Sequence, residues 1–306
     1  MKHILCPTFV VLLLVHCVQA AEVPFIELRG HTENRSAYLS PDGQKIVTVN
    51  REYTVQLWEA ESGEELHTWK GMFRVFLPGE KVILAAGWDK DTGIEDTRIW
   101  EIDSGKEYVF PGRWGQIFHD GKKVATTTDH NVHIWDTESR RELFVLSGRL
   151  DSFSPDGKTI ITSVDNTARI WDGESGKELR KLEGRAGFVH SAFFSPDGLK
   201  IVTESGGDPE DDMNTVYRTV QIWDAESGEE LYTLKGWVRR FFKDGQIVTE
   251  DGTGTVHVRD ANSGKVVYAL KGWFIVFSPD EKKIVTRDAG TSRIWDAESG
   301  KELLKL

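Results

Sequence analysis

The sequence predicts an all-β fold of seven four-stranded antiparallel sheets, and three observations support this prediction. A six-residue segment recurs seven times, and most copies begin with tryptophan and an acidic residue and end with serine and glycine. Successive copies are 42, 35, 36, 52, 36 and 36 residues apart, close to the roughly 40 to 45 residues of one blade of a seven-bladed β-propeller. A Ser-Pro-Asp-Gly turn precedes several copies. The copies are Trp58–Gly63, Trp100–Gly105, Trp135–Arg140, Trp171–Gly176, Trp223–Gly228, Arg259–Gly264 and Trp295–Gly300.

Each repeat contains short runs of alternating apolar and polar residues separated by turn residues, which is the pattern of β-strands. The fifth repeat shows the order most clearly. Its four predicted strands, a to d, are residues 189–194, 200–203, 219–223 and 230–234. Seven such repeats form one predicted domain over residues 21–306.

The turn between strands a and b has a chemical reason for its composition. Proline presets the second position of a type I turn, aspartate caps the turn through its side chain, and glycine accepts a positive φ. Full or nearly full copies are Ser40–Gly43, Ser154–Gly157, Ser195–Gly198 and Ser278–Asp280, with weaker forms at Asp120–Gly121 and Asp244–Gly245. The turns therefore occur in register with the tryptophan segments.

From about Phe25 to Leu306 the chain resembles the WD-repeat β-propeller family, in particular secreted members of bacterial type. The residues that carry the resemblance are the tryptophan and acidic residue that close strand c, the Ser-Pro-Asp-Gly turn, and Gly30-His31 before the first repeat. The resemblance implies seven radial sheets that act as a rigid docking platform for proteins. It also implies that catalysis is exceptional.

The chain departs from the family pattern in the connections between repeats. Only His31 matches the family's glycine-histidine pair, and five of the seven d–a connections are short. The strand b threonines remain, so the hydrogen-bonded set that the family builds around tryptophan is expected to be partial or water-filled. Arg259 replaces the sixth tryptophan, and we expect that sheet to be the least tightly packed.

The sequence contains eight candidate outer strands for seven sheets. The surplus arises because both an N-terminal segment, Pro24–Arg29, and a C-terminal one, Lys301–Leu306, have the pattern of strand d. The C-terminal segment has the shorter loop to close, whereas the resemblance favours closure by the N-terminal segment. The second arrangement, with a displaced or additional C-terminal strand, is slightly favoured.

Residues 1–20 are predicted to be a secretory signal peptide that is cleaved after Ala20. Lys2 precedes a short apolar run at Phe9–Val15, which is too short for a membrane span of about 20 residues. A retained N-terminal anchor is the alternative. Both cysteines lie in this segment, so a mature chain would have no disulfide or thiolate metal site. A secreted or periplasmic location is expected.

The net charge of −11 argues against nucleic acid or an anionic membrane as partner, since both favour basic surfaces. A protein is the expected partner. No cofactor and no resident metal are predicted.

Two groups of residues are candidates for contacting that partner, and both belong to the face that carries the d–a and b–c connections in the resembling family. The first group comes from two long acidic b–c loops, for which a solvated loop is favoured over a calcium site because neither fits a twelve-residue calcium pattern. The second group is aromatic and follows the shortened connections, where plugging the space between sheets is the favoured alternative to partner binding. The candidates are Trp88, Asp89, Asp91, Trp114, Asp208, Glu210, Asp211, Asp212, Trp237 and Trp273.

Enzymatic motifs are weak in this sequence. No Gly-x-Ser-x-Gly occurs. His130 and His133 are three apart on a predicted strand, so they point to opposite faces and cannot share a metal. The predicted function is a non-catalytic protein-interaction scaffold. A propeller that binds a small ligand or glycan is the first alternative, and a propeller enzyme of quinoprotein type is the second.

Overall fold

The computed structural model describes residues 34–77, 82–88, 95–118, 121–184, 187–206, 219–242 and 245–306. These residues form seven four-stranded antiparallel sheets, each built from four strands that follow one another along the chain. The predicted all-β class with seven blades is confirmed. Among the described residues there is no helix of the length and apolarity that a membrane span requires.

The first four sheets have the following strands. Sheet one contains β1 (Asn34–Leu39), β2 (Lys45–Asn50), β3 (Thr54–Glu59) and β4 (Glu65–Lys70). Sheet two contains β5 (Met72–Phe76), β6 (Val82–Trp88), β7 (Glu95–Glu101) and β8 (Glu107–Pro111). Sheet three contains β9 (Arg113–Phe118), β10 (Lys123–Thr127), β11 (Asn131–Asp136) and β12 (Glu142–Ser147). Sheet four contains β13 (Arg149–Phe153), β14 (Thr159–Val164), β15 (Thr167–Asp172) and β16 (Glu178–Glu183).

The last three sheets repeat the same order. Sheet five contains β17 (Phe188–Phe194), β18 (Lys200–Gly206), β19 (Thr219–Asp224) and β20 (Glu230–Lys235). Sheet six contains β21 (Trp237–Phe241), β22 (Gln246–Glu250), β23 (Thr255–Asp260) and β24 (Val266–Lys271). Sheet seven contains β25 (Trp273–Phe277), β26 (Lys283–Asp288), β27 (Thr291–Asp296) and β28 (Glu302–Lys305).

Each sheet therefore runs a-b-c-d in chain order, and its two ends differ. We call the end where strand a begins and the b–c loop lies the loop end, and the end with the a–b turn and the c–d hairpin the hairpin end. The chain divides into two compact units, residues 1–116 and 117–306. Strands β1 to β8 lie in the first unit and β10 to β28 in the second.

Within each unit, consecutive sheets bury their apolar faces against one another. In the second unit, Val202, Val220 and Ile222 of sheet five pack with Ile247 and Ala261 of sheet six, and all five are buried. Similar clusters join sheets three and four, four and five, and six and seven, and another joins sheets one and two in the first unit. Each fully buried aliphatic side chain stabilises the fold by about 1.5–3 kcal/mol.

Five connections between strands d and a consist of one glycine, which confirms the predicted shortening. The glycines are Gly71, Gly112, Gly148, Gly236 and Gly272, with φ of 150°, 98°, 101°, 110° and 106°. At Gly236 a Cβ atom would lie 2.0 Å from the carbonyl oxygen of Glu250. These positions therefore need glycine for its backbone conformation and for the close approach of strand b.

The hydrogen-bonded set around tryptophan links the indole directly to strand b. Five indole Nε1 atoms donate to a threonine hydroxyl, in the pairs Trp58–Thr48 (2.8 Å), Trp135–Thr126 (2.9 Å), Trp171–Thr162 (2.8 Å), Trp223–Thr203 (2.9 Å) and Trp295–Thr286 (2.8 Å). The hydroxyls of Thr162 and Thr286 in turn donate to the last carbonyl of strand d in the preceding sheet, each at 2.7 Å. The set is thus reduced, as expected, and it joins neighbouring sheets.

Sheet six corrects the expectation that replacing tryptophan by Arg259 loosens the packing. Arg259 Nε donates to the hydroxyl of Thr249 at 3.1 Å, and its Nη1 donates to the Gly264 carbonyl at 3.1 Å. The side chains of Val256 and Val258 on the same strand are completely buried. The guanidinium supplies the same donor as an indole, so the sheet closes normally.

The same sheet contains a histidine-aspartate pair in its b–c loop and strand c. His257 Nε2 lies 2.9 Å from Asp251 Oδ2, and Asp251 Oδ1 accepts from Thr253 and from the Thr255 backbone. Burial alone would raise the pKa of Asp251, but the hydrogen bonds from His257 and Thr253 outweigh it and lower the pKa to about 2. Asp251 is therefore part of a hydrogen-bonded set whose histidine is supplied by strand c.

The C-terminal strand is the fourth strand of sheet seven. β28 pairs with β27 in the register Arg293↔Lys305, Ile294↔Leu304 and Trp295↔Glu302. The favoured arrangement with a displaced C-terminal strand is therefore wrong, because these residues fill the strand d position through the shortest loop. The predicted N-terminal strand, Pro24–Arg29, lies outside the described residues.

The hairpin ends are held together by a contact that repeats from sheet to sheet. A side chain in the middle of strand d lies over the hairpin glycine of the next sheet; the pairs are His67–Gly105, Phe144–Gly176, Arg180–Gly228, Tyr232–Gly264 and Tyr268–Gly300. The Tyr232 hydroxyl also donates to the Ala261 carbonyl at 2.7 Å, and burial raises the pKa of Tyr232 to about 12. The hairpin glycine thus provides both a positive φ and room for its neighbour.

A glycine-to-alanine comparison measures this contact. Gly264 and Gly245 both have a positive φ, 69° and 83°. A Cβ atom at Gly264 would lie 2.8 Å from the Tyr232 ring, whereas a Cβ at Gly245 meets nothing within 4 Å. We expect Gly264→Ala to lower the free energy of unfolding by about 1 kcal/mol or more beyond the loss for Gly245→Ala, measured by urea unfolding. Equal losses would contradict the contact.

The histidine-aspartate pair predicts a pH dependence of stability. The pKa of Asp251 is about 2 in the folded chain and about 3.9 in an unfolded one, so its contribution is present above about pH 4 and is lost as the pH falls towards 2. We expect the free energy of unfolding of wild type to exceed that of Asp251→Asn by about 1 kcal/mol at pH 7, after allowance for solvent screening. This difference should shrink towards pH 2. Unfolding measured across this range tests it, and a constant difference would contradict it.

Candidate functional site

Most of the sequence-predicted contact residues lie outside what the structure describes. This holds for Asp89, Asp91, Asp208, Glu210, Asp211 and Asp212, and for the side chains of Trp88 and Trp114, whose backbones lie in β6 and β9. The acidic loops and their calcium alternative therefore stay predictions. Within the described ranges no group of three or more histidine, cysteine, aspartate or glutamate residues could hold a metal ion.

The two remaining candidates, Trp237 and Trp273, occupy the same place in neighbouring sheets. Each is the first residue of its strand a, directly after a connecting glycine. Trp237 and Trp273 lie opposite the residue directly after the strand b threonine, and they are half-buried and 46% exposed. Phe188 also begins a strand a, in sheet five, and is 40% exposed, but it lies further along the sheet, opposite Gly206. Two predicted residues thus share one position in neighbouring sheets, and exposed Phe188, which the sequence analysis missed, begins strand a of the preceding sheet.

The Trp273 ring packs on the b–c loop of sheet six. A Cβ atom at Gly254 would lie 3.2 Å from Nε1 and Cε2 of the indole, so the ring rests on this glycine. The same loop holds Asp251, whose carboxylate caps it. The prediction that these aromatic residues fill space between sheets therefore holds for one side of the Trp273 ring only. Nearly half of the side chain faces solvent.

An ion pair lies beside Trp237. Arg239 Nη2 is 2.6 Å from Glu250 Oε2, and the guanidinium lies 5.9 Å from the ring centroids of both Trp237 and Phe274. Glu250 is only 1% exposed. Strand a bulges between Val238 and Arg240, and a bulge re-aims the side chain at that point. Arg239 thereby reaches and neutralises a carboxylate that would be costly to bury alone.

Sheets four and five contain a related polar cluster at their loop ends. Arg149 contacts Asp151 at 2.7 Å and also donates to the His190 carbonyl of the next sheet. Burial raises the pKa of Asp151, and the charge of Arg149 opposes this shift. Glu204 accepts from Ser191 at 2.9 Å and from the Val238 backbone of sheet six at 2.8 Å. These bonds stiffen the loop ends across sheet boundaries.

The two neighbouring histidines, predicted to lie on one strand, occupy different settings. His130 is exposed in the turn before β11, while His133 on β11 lies 3.2 Å from Thr128 Oγ1 and 3.4 Å from Glu142 Oε1. His133 therefore interacts within its own sheet.

A groove of about 350 Å³ lies at the hairpin ends of sheets five to seven, where the sequence analysis expected scaffold. It is lined by Phe193, Phe194, Pro196, Arg240, Phe241 and Glu281. Arg240 forms an ion pair with Glu281, and Glu281 has a φ of 60°. The sequence carried one signal of this site, since Glu281 occupies the turn position where the related turns have glycine. A positive φ at a residue other than glycine strains the backbone, and such strain often accompanies function.

Comparisons with known proteins agree with these features. Residues 146–172, which run from β12 to the end of strand c in sheet four, match the family profile described as WD domain, G-beta repeat. The crystal structure of the computationally designed Ika8 protein matches with a TM-score of 0.55 and 18% sequence identity, covering 91% of this chain and 88% of that one. A likeness at this identity shows the fold alone. A search of curated proteins found no match.

The fold class is therefore a seven-bladed β-propeller, with one blade per sheet. The family match ends at Trp171 and Asp172, and the bond from the Trp171 indole to a strand b threonine recurs in four other sheets. Taken together, the repeated blade, its tryptophan-threonine pairs and the segment matched at residues 146–172 show a β-propeller that is similar to WD-repeat proteins in its fourth blade.

Proposed function

We propose that this protein is an exported, non-catalytic scaffold that binds a partner protein through the loop ends of sheets five to seven. The observation that carries the proposal is the row of aromatic residues Phe188, Trp237 and Trp273 at the start of three consecutive strands a. Trp273 and Phe188 are 46% and 40% exposed. Large aromatic side chains dominate the binding energy of protein interfaces when they become buried there.

The row is specific to this part of the chain. The corresponding first residues of strand a in sheets two, three and four are Met72, Arg113 and Arg149. Single exposed apolar side chains are ordinary on protein surfaces, but here three consecutive strands a begin with an aromatic residue at the loop end, and Trp237 and Trp273 share one register. This recurrence favours partner binding over chance exposure.

The backbone beneath the row is held in place before any partner arrives. Gly236 and Gly272 connect strand d to strand a without a further residue, and the Gly272 amide donates to the Gly254 carbonyl at 2.9 Å. A surface that is already ordered loses little conformational entropy on binding. Rigid anchors of this kind suit a docking platform, which is the usual role of WD-repeat propellers.

The remaining parts of the proposal rest on the sequence. Export follows from the predicted signal peptide with cleavage after Ala20, and it places the partner in the envelope or outside the cell. The acidic loops near residues 89–96 and 205–213 stay candidates for partner contact on the sequence alone. The proposed absence of catalysis follows from the family resemblance and the lack of catalytic motifs.

The groove at the hairpin ends favours one alternative, a site for a small ligand or glycan. Phe193 and Phe241 meet edge-to-face there with ring centroids 6.4 Å apart. A ligand that binds only the folded chain raises its unfolding temperature. If this alternative holds, a panel of glycans and metabolites will contain a compound that stabilises wild type, and Phe241→Ala will abolish the shift while Leu199→Ala will not.

The scaffold proposal predicts a selective loss of partner binding. Residues 21–306 would be used to capture proteins from the envelope fraction of the source cells, in parallel with Trp237→Ala/Trp273→Ala and with Leu199→Ala as a control. Leu199 is 64% exposed in the a–b turn of sheet five, at the hairpin end. We expect the double variant to bind a captured partner at least about tenfold more weakly, since each anchor contributes about 2 kcal/mol, and the control to bind like wild type.

Two outcomes would contradict the proposal. One is a partner that the double variant, shown by circular dichroism to be folded, retains fully. The other is robust hydrolase or dehydrogenase turnover by residues 21–306, with or without calcium, that a single carboxylate or histidine substitution abolishes.

A further inference from the structure

Arg287 is an exposed cation beside Trp273, at one end of the aromatic row. It lies near the end of β26, directly opposite Trp273 in the strand register, and it is exposed. Its guanidinium makes no hydrogen bond or ion pair with any residue that the structure describes. The adjacent carboxylate, Asp288, instead faces Lys271 at 3.1 Å and Arg293 at 3.8 Å. The charge of Arg287 is therefore left to solvent.

In sheet six, the residue at the position of Arg287 is also charged, but its charge is neutralised within the fold. There Glu250 lies opposite Trp237, and the bulge residue of strand a, Arg239, contacts Glu250 at 2.6 Å. In sheet seven the bulge falls at Ile275, between Phe274 and Val276. An isoleucine offers no charge, so the cation at this position remains uncompensated.

The apolar surroundings of Arg287 make this charge suitable for recognition. Trp273 is 46% exposed and Ile275, two residues further along the same strand, is 47% exposed. A partner that covers these side chains would remove water from the neighbouring guanidinium. Guanidinium-carboxylate hydrogen bonds are then stronger and can form two parallel bonds with defined geometry.

We propose that Trp273, Ile275 and Arg287 bind an acidic segment of the partner protein. An aspartate or glutamate carboxylate of the partner pairs with the Arg287 guanidinium, and an adjacent apolar side chain of the partner packs on Trp273 and Ile275. This inference rests on the proposed function, because it assigns the chemistry of the partner segment at the same face.

The overall charge of the chain sharpens this selectivity. A net charge of −11 disfavours the approach of acidic proteins in general, so only a segment that places a carboxylate at Arg287 gains from contact. The attraction acts over a short distance and is screened by salt. Binding should therefore weaken as the ionic strength rises, while the apolar part of the contact persists.

A peptide-display experiment tests the proposal. A library of random nine-residue peptides would be selected on immobilised residues 21–306, and synthetic copies of the enriched peptides would be titrated against wild type and variants. Arg287→Gln removes the charge without breaking any described contact. Lys301→Gln is the matched control, since Lys301 is an exposed cation at the hairpin end of the same sheet. Trp273→Ala tests whether the peptides bind at the loop-end surface that contains this tryptophan.

The expected result is enrichment of aspartate or glutamate next to an apolar residue. We expect binding to fall about tenfold for Arg287→Gln and for Trp273→Ala, to remain unchanged for Lys301→Gln, and to weaken at 0.5 M salt. Peptides that lose binding with Trp273→Ala but bind Arg287→Gln normally would overturn this inference and leave the proposed function standing. Peptides that bind both variants as tightly as wild type, or a selection that enriches no peptide, would also overturn it. Unchanged binding to Trp273→Ala would in addition count against the proposed face.

Discussion

The structure depends on one repeated requirement, that the donor at the end of each strand c finds an acceptor in the buried space between sheets. A buried indole nitrogen without an acceptor costs about 1–3 kcal/mol, and strand b threonine removes that cost in five sheets. The exceptions follow the same requirement. Trp100 donates to Glu107 at 2.9 Å, and Arg259 replaces an indole while keeping a donor to threonine. Chemical function, and not residue identity, is what the repeat preserves here.

This requirement explains why the two ends of a sheet differ. The hairpin must place an acidic residue, serine and glycine so that the preceding sheet fits against it, and a ring such as Tyr232 leaves no room for a side chain at Gly264. At the loop end, some side chains are not covered by a neighbouring sheet. Its single-glycine connections fix the backbone but leave the first side chain of strand a free to vary, so recognition can differ from sheet to sheet without disturbing the packing.

The sequence predicted the features that arise from local chemistry. The seven sheets, the turns and the short connections follow from proline, glycine and the alternating apolar residues, which act over a few positions. Interactions across strands could not be predicted in the same way. Nothing local shows that Arg239 bulges to meet Glu250, that Arg259 can take the place of tryptophan, or that His257 on strand c supplies the imidazole for Asp251. Register and bulge position decide these contacts, and both are set by tertiary packing.

The charges at the loop ends of sheets four to seven show how a uniform scaffold produces a distinct surface. The position after the strand b threonine is Ser163, Glu204, Glu250 and Arg287 in these sheets. The carboxylates of Glu204 and Glu250 accept hydrogen bonds from strand a residues and hold neighbouring parts of the fold together. Arg287 makes no such bond within the described chain. Because the fold neutralises the charges it uses, an uncompensated one beside an exposed tryptophan is available for an intermolecular contact.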